Sequence, residues 1–138
     1  SFWRMPSPAM IDTAKRSLVW EALANLFVGR ELRVHDFEGI AQVLERSGFA
    51  DHELEAILVD EVAPVFSANL SGLAVPVMEG WSRERVCAAV RDRLDTQPTL
   101  FERLLPKRWL VERRLQRVAD RWRIVRQLVS EQRLQSTA

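Results

Sequence analysis

The sequence predicts an all-α fold, an irregular bundle of five or six helices ending in a long C-terminal helix. Three observations carry this expectation. Leu, Ala, Arg and Glu dominate the composition and tyrosine is absent; these four are strong helix formers. Apolar residues return at three- and four-residue steps along most of the chain, the period of a helix with one buried face. Helix breakers are scarce, with 5 glycines and 6 prolines, and no proline interrupts the long periodic stretch near the C-terminus. At 138 residues the chain has the size of one domain. With 47% hydrophobic and 28% charged residues it is too apolar for disorder. Residues 1–10 read as a leader, disordered or expression-derived, with Met5 or Met10 as a natural start; residues 11–138 read as a single helical domain.

The first helix is expected to open at Asp12 or Thr13, both good N-caps. Leu18, Trp20, Leu23, Leu26 and Phe27 form its apolar stripe, and Gly29 is its natural stop. The second opens near His35 or Asp36, buries Phe37, Ile40, Ala41 and Leu44, and closes at Ser47-Gly48. The third starts at Asp51 and turns Leu54, Ile57, Leu58 and Val62 inward. It should end or kink at Ala63, because Pro64 lacks a backbone donor and crowds the preceding turn. Residues 67–80 read as a loop that packs on the surface through Leu70, Leu73, Val75 and Val77, with room for a short strand. Ser82 caps a fourth helix with Val86, Ala89, Val90 and Leu94 on one face. A short helix covers Thr99–Leu105. Pro106 then opens the last helix, Lys107 to about Gln132, whose stripe is Leu115, Val118, Ala119, Trp122, Val125 and Val129.

The net charge of +1 hides a division. Residues 1–80 carry 6 Lys/Arg and 12 Asp/Glu, a net −6, while residues 81–138 carry 14 and 7, a net +7. A division of this kind concerns partners and association rather than fold. Two charged surfaces result. The acidic one centres on Asp51, Glu53, Glu55, Asp60 and Glu61, with Trp81 at a loop rim as a candidate anchor. The basic one lies on the last helix and includes Arg114, Arg117 and Arg121. Each has a blander reading as a solvated, salt-bridged face. Trp20, Trp109 and Trp122 fall on helical stripes and read as core.

Signs of catalytic chemistry are few. His35 and His52 lie beside Asp36 and Asp51, but at helix starts, where exposed residues are ordinary. No HExxH, CxxC pair or E-x-x-H pattern occurs, so no metal or cofactor is expected. No nucleophile elbow or phosphate-binding glycine loop is present. Cys87, the single cysteine, lies between Val86 and Ala88 and reads as a structural thiol. A lone cysteine also suits a reducing compartment. No apolar run of about 18 residues exists, so no transmembrane helix is expected.

One pattern resembles a known group. It runs Arg16-x-x-Val19-Trp20-x-Ala22-Leu23-x-x-Leu26-Phe27, then Ile40-Ala41-x-x-Leu44 and Ser47-Gly48. Glu53-Leu54-x-x-Ile57-Leu58-x-x-Glu61-Val62-x-Pro64-Val65 follows, then Asn69-Leu70 and Gly80-Trp81. This is similar to a family of small bacterial helical proteins that resemble the immunity proteins encoded beside secreted antibacterial toxins. The resemblance covers about half the chain and leaves out the last forty residues. It implies a cytoplasmic protein without enzymatic activity, which neutralises a protein toxin by direct binding through the acidic residues and Trp81. A nucleic-acid-associated or regulatory role through the basic helix is the alternative, and is disfavoured by a pI near 8.0. Oligomeric state is left open. Within the pattern Glu61 is not explained by packing; it could brace the Asn69 loop or pair with Arg16.

Overall fold

The fold is all-α in a computed structural model of the chain, which describes residues 8–70, 76–96 and 104–137, with side chains from Thr13 to Ser136 inside those ranges. No strand occurs among the described residues. The helices are α1 (Pro8–Ala24), α2 (Val34–Ser47), α3 (Asp51–Ile57), α4 (Ala63–Phe66), α5 (Arg83–Asp95), α6 (Lys107–Leu115) and α7 (Ala119–Thr137). Helix α7 runs along α2, and α1 packs against both α2 and α5. The 67–80 segment, read as a loop with room for a short strand, holds no strand among its described residues. Thr99–Leu105 lies mostly outside the described range.

The core follows the helical period. Leu23, Leu26, Phe27, Leu44, Leu54, Ile57, Leu58, Val62, Val86, Val90, Val118 and Val125 are all buried. Each large side chain removed from water contributes about 1.5–3 kcal/mol, and the most extensive packing is of α2 on α7 and of α1 on α2 and α5. Four expected stripe members face outward instead: Leu18, Leu94, Trp109 and Ala119 are exposed.

Local chemistry sets most of the boundaries. Helix α1 begins at Pro8, ahead of the expected caps, with a residue whose fixed φ suits a first turn. It tightens into a 3₁₀ turn at Asn25–Phe27 and leaves the helical region at Val28. Gly29 therefore is not a left-handed cap. Its value is closeness: a Cβ there would meet Met78 Sδ at 2.7 Å, and its N–H donates to the Val77 carbonyl at 2.8 Å. Gly48 does close α2 in the left-handed region, with φ 79°. At the start of α2 the Arg33 N–H donates to Asp36, and at the start of α3 the Ala50 N–H donates to Glu53. Ser82 caps α5 as expected, its hydroxyl accepting from the Arg85 N–H.

Two further boundaries differ from expectation. The chain does not stop at Ala63. It passes Pro64 through a π-helical segment, Leu58–Val62, in which the Ala63 N–H reaches the Leu58 carbonyl. It then continues through α4 and a 3₁₀ turn at Ser67–Leu70. Widening the turn lets the backbone accommodate a proline ring that would crowd the carbonyl four residues earlier. The long terminal helix is divided at residues 116–118, between α6 and α7. No glycine or proline lies in Gln116-Arg117-Val118, so composition gives no warning of the break. It falls where Val118 turns into the core and Arg117 reaches toward the Leu70 carbonyl.

Candidate functional site

The two charged regions expected from the sequence are joined by ion pairs at the protein surface. Asp51 pairs with Arg133 at 2.6 Å. Glu55 lies 3.6 Å from Arg126 and accepts from the Trp122 indole N–H at 3.3 Å. Asp60 stands 3.9 Å from Arg114. Glu53 caps α3 through the Ala50 N–H. Asp51, Glu55 and Asp60 of the acidic N-terminal half are thus paired with arginines of the basic C-terminal half.

Glu61 is the most enclosed of the acidic residues, with a side chain 12% exposed. It forms a two-point pair with Arg16: Nε donates to Oε1 at 3.0 Å and Nη2 to Oε2 at 2.8 Å. The Trp20 indole N–H adds a third bond at 2.8 Å. A fork of this kind is stronger and more directional than a point contact. It ties α1 to the π-helical segment. The Asn69 loop is braced by Asn69 itself: its amide donates to the Phe27 and Val77 carbonyls and accepts from the Val77 N–H.

The three arginines of the expected basic surface all reach backbone carbonyls. Arg121 donates to the carbonyls of Leu26, Val28 and Arg30 at 2.8–2.9 Å. These lie where α1 ends and carbonyls lose their helical donors. Burial, with Arg30 nearby, pushes the Arg121 pKa down from its ordinary value. Arg117 donates to the Leu70 carbonyl at the end of the 3₁₀ turn. Arg114 donates to the Val59 carbonyl at 3.3 Å. In the π register that carbonyl would look to the nitrogen of Pro64, which has no hydrogen. Arg114 therefore supplies the donor that Pro64 lacks. Arg133 does the same for Phe49, just beyond α2. Four guanidinium groups of the C-terminal stretch thus meet carbonyls where the chain leaves α1, α2 or a 3₁₀ turn or passes through the π-helical segment.

Outside this bracing lies a region that the apolar pattern alone assigns to the core. Helix α6 contains no buried residue. Trp109 is 42% exposed and Leu104 75%, and the Arg113 guanidinium stacks on the Trp109 ring at 5.3 Å from its centroid. Two open clefts flank this stack. One, of about 310 Å³, lies between Pro64 and Ser67 on one side and Trp109, Leu110 and Arg113 on the other. The second includes Glu112, Gln116 and Ala119. A signal was present in the sequence. Counting back from Val118 in helical steps reaches Leu115 and Val111, while the face of Trp109 runs through Glu112, Arg113 and Gln116. A large aromatic on a polar face is a surface feature.

The remaining candidates occupy simpler settings. Trp81 is half-buried and packs on Phe66, ring centroids 4.7 Å apart. His35 is 80% exposed beside Asp36, and His52 is exposed. They lie on different helices, each with a nearby carboxylate on its own helix. Asp36 has a two-point pair with Arg30 at 2.9 and 3.0 Å. That pair, with the Arg33 N–H, holds its carboxyl well below the usual aspartate range. Cys87 is half-buried against the core. No metal-ligand cluster occurs among the described residues, and none of their helices is long and apolar enough to cross a membrane. A groove of about 280 Å³ between α1 and α2, beside Gly39, is bordered by the Glu21–Arg83 and Arg30–Asp36 ion pairs.

No curated protein and no solved structure matches the chain. A family model described as a domain of unknown function, DUF7079, matches residues 14–128. The match extends from α1 into the first half of α7, so it includes most of the basic stretch that the sequence resemblance left out. The chain belongs to the DUF7079 family.

Proposed function

We propose that this domain is an immunity-type protein, which neutralises a cognate bacterial toxin by direct binding in the cytoplasm and catalyses nothing itself. The observation that carries the binding half is α6: a helix without a buried residue that displays a tryptophan with an arginine stacked on it. Tryptophan and arginine are the residue types that most often dominate protein interfaces. The toxin half rests on the sequence resemblance from Arg16 to Trp81. The favoured face is α6 rather than the acidic surface, because Asp51, Glu53, Glu55, Asp60 and Glu61 each have an internal partner.

The test is co-purification with the secreted toxin domain encoded beside its gene, paired with a growth assay in cells expressing that toxin. The expected outcome is a one-to-one complex and restored growth. Absence of both, with the folded protein present at high level, overturns the reading.

A further inference from the structure

We infer that α6 is a conditional helix: it forms on docking to the body and melts when undocked, with Arg114 as its latch on the π-helical segment. The inference concerns the fold itself and stands whichever molecule α6 meets. By itself Lys107–Leu115 has little to hold a helix together. It is 9 residues long, and helices below about 12–15 residues are marginal in water without packing. No side chain caps its start, and its first turn holds no acidic residue. Lys107 and Arg108 stand there instead, where the positive end of the helix dipole disfavours cations. The exposed Arg108–Glu112 pair has the less favourable order, cation before carboxylate.

Packing must therefore supply the order, and the break at 116–118 divides it unevenly. On one side Val118 and, in α7, Trp122, Val125 and Val129 are buried, and α7 lies along α2. On the other, α6 contains no buried residue. It touches α4 and the π-helical segment, and Leu115, next to the break, packs on the core. The directional contact is made by Arg114, whose side chain is 18% exposed. It donates to the Val59 carbonyl at 3.3 Å and stands 3.9 Å from Asp60. Undocking α6 takes that donor away from Val59, and Pro64 has no N–H to replace it. A carbonyl left without a donor in a half-buried place opposes the undocking. Docking α6 and completing the π-helical segment are thus one event. By linkage, whatever holds α6 in place steadies this segment, and whatever disturbs the segment loosens α6.

The experiment is amide hydrogen exchange on the full chain, comparing the amides of Leu110–Leu115 in α6 with those of Trp122–Val129 in α7. In the wild type the α6 amides should exchange at least about 100-fold faster, because a separately opening unit exchanges without global unfolding. Arg114→Ala should speed them about tenfold further, the effect of one hydrogen bond from a charged donor, and leave the α7 amides unchanged. Pro64→Ala gives the Val59 carbonyl a donor within its own chain. In that background Arg114→Ala should change α6 exchange by less than about threefold, since the two substitutions act on one acceptor. Equal protection of α6 and α7 in the wild type overturns the inference, and this comparison requires no variant. An Arg114→Ala effect that is absent, or shared equally by α7, overturns it as well, because α6 would then open with the whole fold. A tenfold effect that persists unchanged beside Pro64→Ala also overturns it, since the latch would not act through Val59.

Discussion

The basic stretch from Lys107 to Arg133 contains arginines in two different situations. Arg114, Arg117, Arg121 and Arg133 turn toward the body of the protein and donate to carbonyls at Val59, Leu70, Leu26–Arg30 and Phe49. Arg108 and Arg113 stay on the outside, one beside Glu112 and the other on Trp109. The residue type and the helix period are the same in both sets. What separates them is whether another helix ends within reach. A helix terminus leaves up to four carbonyls without intrahelical donors, and a guanidinium can serve several at once. Part of the positive charge of this stretch is therefore structural, while Arg108 and Arg113 of α6, like Arg123 and Arg126 of α7, stay exposed.

The largest effect is expected at Arg121. Replacing it with alanine leaves three carbonyls, those of Leu26, Val28 and Arg30, without their guanidinium donor. A loss of about 3 kcal/mol is expected, since each unpaired polar group costs about 1–3 kcal/mol and water recovers part of this. Arg121→Lys should recover less than half, because one ammonium cannot span three acceptors. Urea denaturation measures both. A change under about 0.5 kcal/mol for Arg121→Ala would place Arg121 with the outward arginines and dissolve the distinction.

Glu61→Gln should follow, with a loss of about 1–2 kcal/mol. The glutamine carbonyl could still accept from the Trp20 indole, but the two-point charged pair with Arg16 would be lost. Pairing this change with Arg16→Met in a double-mutant cycle separates the two contacts. Strictly additive losses would mean that the pair seen between α1 and the π-helical segment contributes no coupling.

A smaller effect is expected with acid. Arg30 and the Arg33 N–H hold the Asp36 carboxyl below its ordinary range. Its folded pKa is thus depressed relative to the unfolded chain. The resulting stability is present above the unfolded aspartate value of about 3.9 and is lost as pH falls below it. Thermal midpoints of the wild type should decline across that window more than those of Asp36→Asn. Parallel declines in the two proteins would show that the pair at the start of α2 does not couple to folding.

The stripes of α2, α3 and α5 and the caps at Ser82 and Gly48 were legible from residue spacing because they depend on neighbours along the chain. The π-helical passage of Pro64 was not, because a proline predicts disruption and does not reveal whether a tertiary donor such as Arg114 can rescue it. The pairing of Glu61 with Arg16 was legible as one of two alternatives. The internal use of Arg117 and Arg121 was not, since their acceptors are backbone carbonyls, which every residue carries and no pattern marks. Trp109 was misplaced for a different reason: its hydrophobicity was weighed, while the polar residues sharing its helical face were not.

That misplacement supplies the final and smallest effect on stability. If Trp109 and Arg113 belong to the outward set, Trp109→Ala and Arg113→Ala should each change folding free energy by less than about 0.5 kcal/mol, the ordinary range for surface positions. A core tryptophan would cost about 3–5 kcal/mol on the same substitution, so a denaturation curve separates the alternatives by a wide margin. Trp122→Ala is the internal control. Trp122 is only 4% exposed and its indole N–H reaches Glu55, so its loss should fall in the larger range. Two tryptophans thirteen positions apart would then differ by several kcal/mol under one chemical change. That contrast would isolate burial as the variable, because residue type and substitution are held constant. A large loss at Trp109 would instead mean that α6 is held to the body by this ring, and that the exposed Trp109–Arg113 stack is part of the fold rather than a surface awaiting a partner.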